Sequence, residues 1–170
     1  MPTAAQLERH GAQVIELTQQ QTILGDRFLW SGEIPRVTPF EVGMLGHYRL
    51  ADDGANWEPG PLIDDERYVA VLVKDKELVI FTACSHAGVV KLPKDARNRH
   101  PATPIHAIFG GFHLSGTNER VIPDTVEAMR HFGLATITPD HCTGWRSVGA
   151  LSQAFGSAVV PAAVGKTYRF

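Results

Sequence analysis

The sequence predicts a layered α/β domain, and three observations carry that prediction. Apolar, β-prone runs at Leu78–Thr82, Ile105–Phe109 and Leu134–Thr138 each stop at a turn, as strands do when both of their faces leave water. Stretches with helical spacing of apolar residues follow the second and third runs, at Ile122–Gly133 and Trp145–Phe155, and strands alternating with helices build sheets covered by helices. The chain has 170 residues, 44% hydrophobic and 20% charged, which suits one domain spanning 1–170 with enough chain to bury a core.

The elements follow in order. Thr3–His10 reads as a short helix ended by Gly11,. Ala12–Leu17 alternates loosely, as a strand does, and a weaker strand covers Gln21–Leu24 or Phe28–Trp30. The segment 31–65 is different. It holds Gly32, Pro35, Pro39, Gly43, Gly46, Gly54, Pro59, Gly60 and Pro61 with no sustained period, and a structureless loop of that length is commonly a lid or binding loop. Its Arg36, Phe40, His47 and Trp57 are the candidate substrate-touching residues, Arg36 being suited to a carboxylate or phosphate. The other reading is a surface insertion without fixed structure.

Tyr68–Val73 and Leu78–Thr82 flank the charged turn Lys74-Asp75-Lys76-Glu77, which predicts a β-hairpin,. Ala87–Leu92 begins a helix that Pro93 limits, or Pro93 opens a short helix through Arg97,. In Ile122–Gly133, Pro123 suits the first turn, and Val126, Met129 and Phe132 share an inward face,. In Trp145–Phe155, Thr143 is the expected cap, Gly156 the stop, and Val148, Leu151 and Phe155 the inward face,. Ala158–Pro161 and Lys166–Phe170 read as closing strands.

Each of the three apolar runs ends on a histidine: His86 in Ala-Cys-Ser-His, His113 in Gly-Gly-Phe-His, and His141 in Pro-Asp-His-Cys. One histidine in such a turn is commonly a hydrogen-bonded loop residue. Three equivalent placements on neighbouring strands would converge at one sheet edge, and convergent imidazoles are a common basis for a transition-metal site. Cys84 and Cys142 stand beside two of these histidines and read as small buried or turn residues, with direct metal ligation by either the lesser alternative, and they are too few for a disulfide framework,.

Net charge is −2 and the pI about 6.4, so no basic footprint for nucleic acid is present. No apolar run approaches the length of a membrane span, and the first residues, Met-Pro-Thr-Ala-Ala-Gln-Leu-Glu-Arg-His, lack the pattern of a signal peptide,. A cytoplasmic location is the expectation.

Thr-Ala-Cys-Ser-His-Ala-Gly at 82–88, Gly-Gly-Phe-His-Leu at 110–114 and Asp-His-Cys-Thr-Gly-Trp at 140–145 resemble the later motifs of the metallo-β-lactamase superfamily. The nearest branch is the dihydropterin-ribofuranosyl-aminobenzene phosphate synthase-like one, which Ser-Gly-Glu-Ile-Pro-Arg at 31–36, Asp-Asp-Glu-Arg at 64–67 and the C-terminal Ala-Val-Gly-Lys-Thr-Tyr-Arg-Phe also resemble. The resemblance implies an αββα sandwich with a metal centre between its sheets. By position, His86 and His141 match later metal-binding histidines, and His113 lies where a bridging carboxylate is often found. Asp140 is either an imidazole-orienting partner or a plain turn residue.

The superfamily's main signature, His-x-His-x-Asp-His, does not occur in this sequence. The chain therefore resembles the second half of the domain, a mixed sheet with helices on one face. Half a sandwich leaves a sheet face and a strand edge to cover, so a homodimer that rebuilds the sandwich is expected. Zinc is the first expectation for an all-imidazole site, with manganese or iron compatible. The implied activity is metal-dependent hydrolysis of a small ester or phosphate-containing molecule by metal-activated water. The alternatives are a non-catalytic dimeric metal- or ligand-binding module, a fragment lacking the full centre, or a partner chain that supplies the other half.

Overall fold

Six strands form one mixed sheet in the computed structural model, which describes residues 2–25, 27–63, 66–73 and 77–169. The strands are β1 (Gln21–Ile23), β2 (Phe28–Trp30), β5 (Tyr68–Val73), β6 (Glu77–Thr82), β7 (Ile105–Gly111) and β8 (Thr136–Asp140), in the order β1-β2-β5-β6-β7-β8. The β1–β2, β2–β5 and β5–β6 pairs are antiparallel, and β6–β7 and β7–β8 are parallel. Helix α2 (Lys91–Arg99) links β6 to β7, α3 (Ile122–Arg130) links β7 to β8, and α4 (Trp145–Phe155) follows β8. Two parallel crossovers of one hand bring their helices to the same sheet face. A short helix, α1 (Ala4–Arg9), opens the chain on a capping box between Thr3 and Gln6,.

The register sorts the strand residues into two rows. Leu29, Ala70, Ile80, Ile108 and Ile137 lie side by side across β2, β5, β6, β7 and β8. All five are in the core or buried against it, with Val89, Val90, Leu92, Met129 and Leu151 from the helical side. The alternate row is Trp30, Val69, Phe81, Phe109 and Thr138. Its first four members are half-buried and lie outside that core. The Phe81 and Phe109 ring centroids are 5.8 Å apart, and Tyr168 packs edge-on against Phe109 at 5.0 Å. The sheet therefore has one face under helices and a second, apolar face carrying aromatic rings.

Several expectations are revised. The 12–17 stretch has no strand, whereas both Gln21–Ile23 and Phe28–Trp30 do, because each pairs with a neighbour. The hairpin forms as expected, although Lys74, Asp75 and Lys76 of its turn lie outside the described residues. Helix α2 runs straight through Pro93. Pro93 is its third residue, where a backbone N–H would have no partner within the helix. The loop 31–65 is not structureless: β3 (Tyr48–Leu50) and β4 (Trp57–Pro59) form a small hairpin inside it.

Gly144, not Thr143, holds the cap position of α4, and the Thr143 hydroxyl accepts the buried Phe112 N–H at 3.1 Å instead. The buried face of α4 is Ser147 and Leu151, with Val148 and Phe155 half-buried. The expected closing strand after α4 is a single bridge, Val159 to Ile137. Val160 N–H donates to Ile137 and Ala162 N–H to Pro139, but Pro139 has no N–H with which to return the next bond. The described part of Lys166–Phe170 forms no strand. Among the described residues, no helix is long and apolar enough to cross a membrane.

Candidate metal centre

The site follows from the parallel half of the sheet. Strands β6, β7 and β8 are neighbours running the same way, so the turns after Thr82, Gly111 and Asp140 lie at one edge, where α/β sheets place their ligand-binding groups. Those turns carry Cys84 and His86, then His113, then His141 and Cys142. Ser85 and His113 both have positive φ, 59° and 46°, a region non-glycine residues seldom enter and one that recurs at functional turns.

The His86 and His113 rings meet edge-to-face with centroids 4.8 Å apart. Cys84 Sγ lies 3.4 Å from His113 Nδ1 and 3.0 Å from Cys142 Sγ, and Cys142 Sγ accepts the His113 N–H at 3.2 Å. Two sets of donor atoms, Cys84–His86–His113 and Cys84–His141–Cys142, each lie within 4.8 Å of one another. Burial, then the neighbouring His86 and His141, hold the His113 imidazole below its ordinary pKa, so the ring is neutral and keeps a lone pair near pH 7. Neutral imidazoles and thiols able to shed a proton are donors that transition metals take, so these residues fit a metal ion.

The surroundings hold the turns in place. Glu66, buried beside the site, accepts the His86 N–H on Oε2 and the Thr82 hydroxyl on Oε1. Asp140 accepts the His141 N–H at 2.7 Å, while its other oxygen is 3.8 Å from His141 Nδ1. Its visible contact is thus with the backbone, and the ring stays 58% exposed. Gly111 leaves space that a side chain would fill: a Cβ there would lie 2.6 Å from Cys142 Sγ and 2.7 Å from His141 Cε1.

The loop residues divide. Phe40 and Glu41 line a gap of about 20 Å³ with His86 and His113, room for about one water molecule. Arg36 is anchored within its own loop by a 2.8 Å bond to the Ile63 carbonyl. His47 bonds the Gly60 carbonyl at 2.8 Å, and Trp57 is 70% exposed on the β3–β4 hairpin. Neither His47 nor Trp57 lines that gap. On the other side of His86, a groove of about 310 Å³ opens over the apolar sheet face, lined by Trp30, Val69, Phe81, Glu66, Arg67, Cys84 and His86.

Sequence reasoning missed Glu41, Glu66 and the meeting of the two cysteines. Glu66 lies in the recognised Asp-Asp-Glu-Arg stretch, whose Asp64 and Asp65 are outside the described residues. Glu41 is buried, accepts the Val90 N–H at 2.7 Å, and accepts the Lys91 ammonium on its backbone carbonyl. It thereby caps the start of α2, where Val90 offers no side-chain cap, and clamps the loop against the helix. Burial raises its pKa to about 7, against the opposing pull of Val90 N–H and Lys91.

The fold superposes on a crystal structure of a metal-dependent hydrolase of the β-lactamase superfamily with a TM-score of 0.76 and 25% identity, covering 92% of this chain and 57% of that one. This chain thus has the fold of that superfamily. It is 31% identical over 109 residues to the 7,8-dihydropterin-6-methyl-4-(β-D-ribofuranosyl)-aminobenzene-5'-phosphate synthase of Methanocaldococcus jannaschii, an overlap of 64% of this chain and 36% of that protein. An uncharacterized protein of the same organism is 22% identical over 139 residues, 82% of this chain and 49% of its own length. No family model matches the chain. The chain thus spans between about a third and three-fifths of the length of these proteins.

Proposed function

We propose that this chain binds a transition-metal ion through His86, His113 and His141 and forms part of a metal-dependent hydrolase centre acting on a small ester or phosphate-containing molecule. The observation that carries the reading is where the histidine edge lies. Its first turn, through Cys84 and His86, lines the 310 Å³ groove on the open face of the sheet. A bound zinc, iron or manganese ion would supply Lewis acidity and lower the pKa of water enough to make it a nucleophile near neutral pH. Glu66 holds the His86 turn in place through the backbone. The groove's apolar wall, Trp30, Val69 and Phe81, suits the non-polar part of a substrate, and Arg67 at its rim suits an anionic group,.

A second copy of the chain is the proposed cover for the apolar face. A two-fold axis would set the Trp30–Val69–Phe81–Phe109 row on itself, since an isologous interface uses one patch twice. Two thiols side by side suit a reducing compartment, and we place the protein in the cytoplasm.

The second reading is a non-catalytic metal- or ligand-binding module, which these residues, carrying no His-x-His-x-Asp-His signature, also suit. Elemental analysis of untagged protein, purified without added metal or chelator, is the test. About one ion per chain supports the metal reading, and a folded, metal-free protein refutes it. With metal bound, turnover in a panel of phosphate and carboxylate esters selects the hydrolase, and no turnover selects the module. Sedimentation equilibrium should show two chains, and a folded monomer at high concentration would sink the dimer.

A further inference from the structure

We propose that Cys84 and Cys142 are thiolate ligands of this centre, making it a mixed sulfur–nitrogen site rather than an all-imidazole one. The inference rests on the metal-binding reading above and adds the residues that decide which metal is held. Cys84 is the member common to both donor sets, so any ion bridging the three turns lies against its sulfur. Cys142 is the donor of the β8 turn that reaches inward. Its sulfur touches Cys84 Sγ at 3.0 Å and takes the His113 N–H at 3.2 Å, while the His141 ring on the same turn is 58% exposed. The bare α-carbon of Gly111 is what leaves space for Cys142 Sγ.

Two sulfurs in contact, with imidazoles beside them, form a donor set in search of a cation. On binding a divalent ion, each thiol would release its proton to solvent as its sulfur–metal bond forms. Sulfur with imidazole selects zinc or iron, whereas manganese prefers carboxylate and water oxygens. Manganese, compatible with an imidazole site, is disfavoured by this one.

The test begins with X-ray absorption on the zinc-loaded, unmutated protein, which needs no variant to fold. Scatterers at about 2.3 Å indicate sulfur and at about 2.0–2.1 Å nitrogen. We expect both shells. Cobalt(II) loaded under reducing conditions should show a thiolate-to-metal charge-transfer band, weakened in both Cys84→Ser and Cys142→Ser. Each variant should lose more zinc affinity in chelator competition than the ~10–100-fold that a supporting partner costs. A nitrogen-only shell, with both serine variants holding zinc as tightly as the parent, overturns thiolate ligation and leaves the histidine centre standing. A folded protein that takes up neither zinc nor cobalt overturns both. A Cys84–Cys142 disulfide that persists in reductant and leaves zinc bound also overturns the thiolate proposal alone.

Discussion

Replacing Glu41 with Gln should stabilise the protein at alkaline pH and leave it nearly unchanged at acid pH. The Glu41 carboxyl is raised by burial from 4.5 to about 7. One of its oxygens accepts the Val90 N–H, and the other, buried, has no hydrogen-bond partner among the described residues. Below pH 4.5 the side chain is protonated in both folded and unfolded chains. Between 4.5 and 7 the unfolded carboxyl ionises while the folded one keeps its proton, so stability falls as pH rises; above 7 the loss is complete. A shift of that size at about 1.4 kcal/mol per pH unit corresponds to about 3 kcal/mol. Glutamine imitates the protonated acid and keeps an oxygen for Val90. The difference in unfolding free energy, variant minus parent, should therefore rise from near zero at pH 4.5 to about 3 kcal/mol by pH 8. Urea unfolding across that range measures it. Lys91, whose own pKa burial lowers, faces Glu41 in both proteins, as do Arg36 and Lys94 around it. The nearby histidines are likewise unchanged, so their titrations cancel in the difference. A flat difference curve, or a glutamine variant weaker at pH 8, would show that Val90 N–H and Lys91 hold the carboxylate ionised and that burial is not the dominant effect.

Gly111→Ala should abolish metal uptake, because its Cβ would displace both Cys142 Sγ and His141 Cε1, and should cost about 1–3 kcal/mol of stability,; metal analysis and thermal unfolding read the two effects. Glu66→Ala leaves the His86 N–H and the Thr82 hydroxyl without their acceptor and should lower metal affinity by about 10–100-fold, measured by chelator competition. Tyr68→Phe removes the 2.9 Å bond from a buried phenol to Asp95 and should cost about 2 kcal/mol in urea unfolding. It should leave metal content untouched, because Asp95 also pairs with Arg99 and lies on α2.

The parts legible in the sequence are those with short-range causes. The strand-then-histidine turns could be read because an apolar run ending in small residues reports both the strand and its stop, and helix α3 because Pro123 and the Met129 stripe are local signals. The strand over 12–17 was misread because loose alternation says nothing about whether a partner is there to pair with. The β3–β4 hairpin was missed because its strands are three residues each and largely exposed, which leaves no buried face to imprint a period. Glu41 and Glu66 were invisible for a different reason. Each acts across 49 and 20 residues of sequence, on Val90 and His86, and nothing about an isolated glutamate announces which distant N–H it will accept.

The strands β5, β6 and β7 carry a further signal that only the structure makes intelligible. A sheet with one face in water shows apolar residues alternating with polar ones, while a sheet covered on both sides is apolar throughout. Val-Ala-Val-Leu-Val in β5 and Leu-Val-Ile-Phe in β6 have no such alternation, yet the core takes in the Leu29–Ala70–Ile80–Ile108–Ile137 row with Tyr68, Leu78 and Ile105, and not the Trp30–Val69–Phe81–Phe109 row. The opposite row, Trp30, Val69, Phe81 and Phe109, has the composition of a buried surface but is only half-buried. Propensity alone does not account for it, since threonine would serve a solvated strand as well. A surface that another layer covers would have this composition. The groove over this face is lined in part by Cys84 and His86 of the candidate site. On the proposal that a second copy covers this face, Phe81→Lys should lower both dimer formation and metal content, read by sedimentation equilibrium and elemental analysis; loss of neither would refute the proposed cover,.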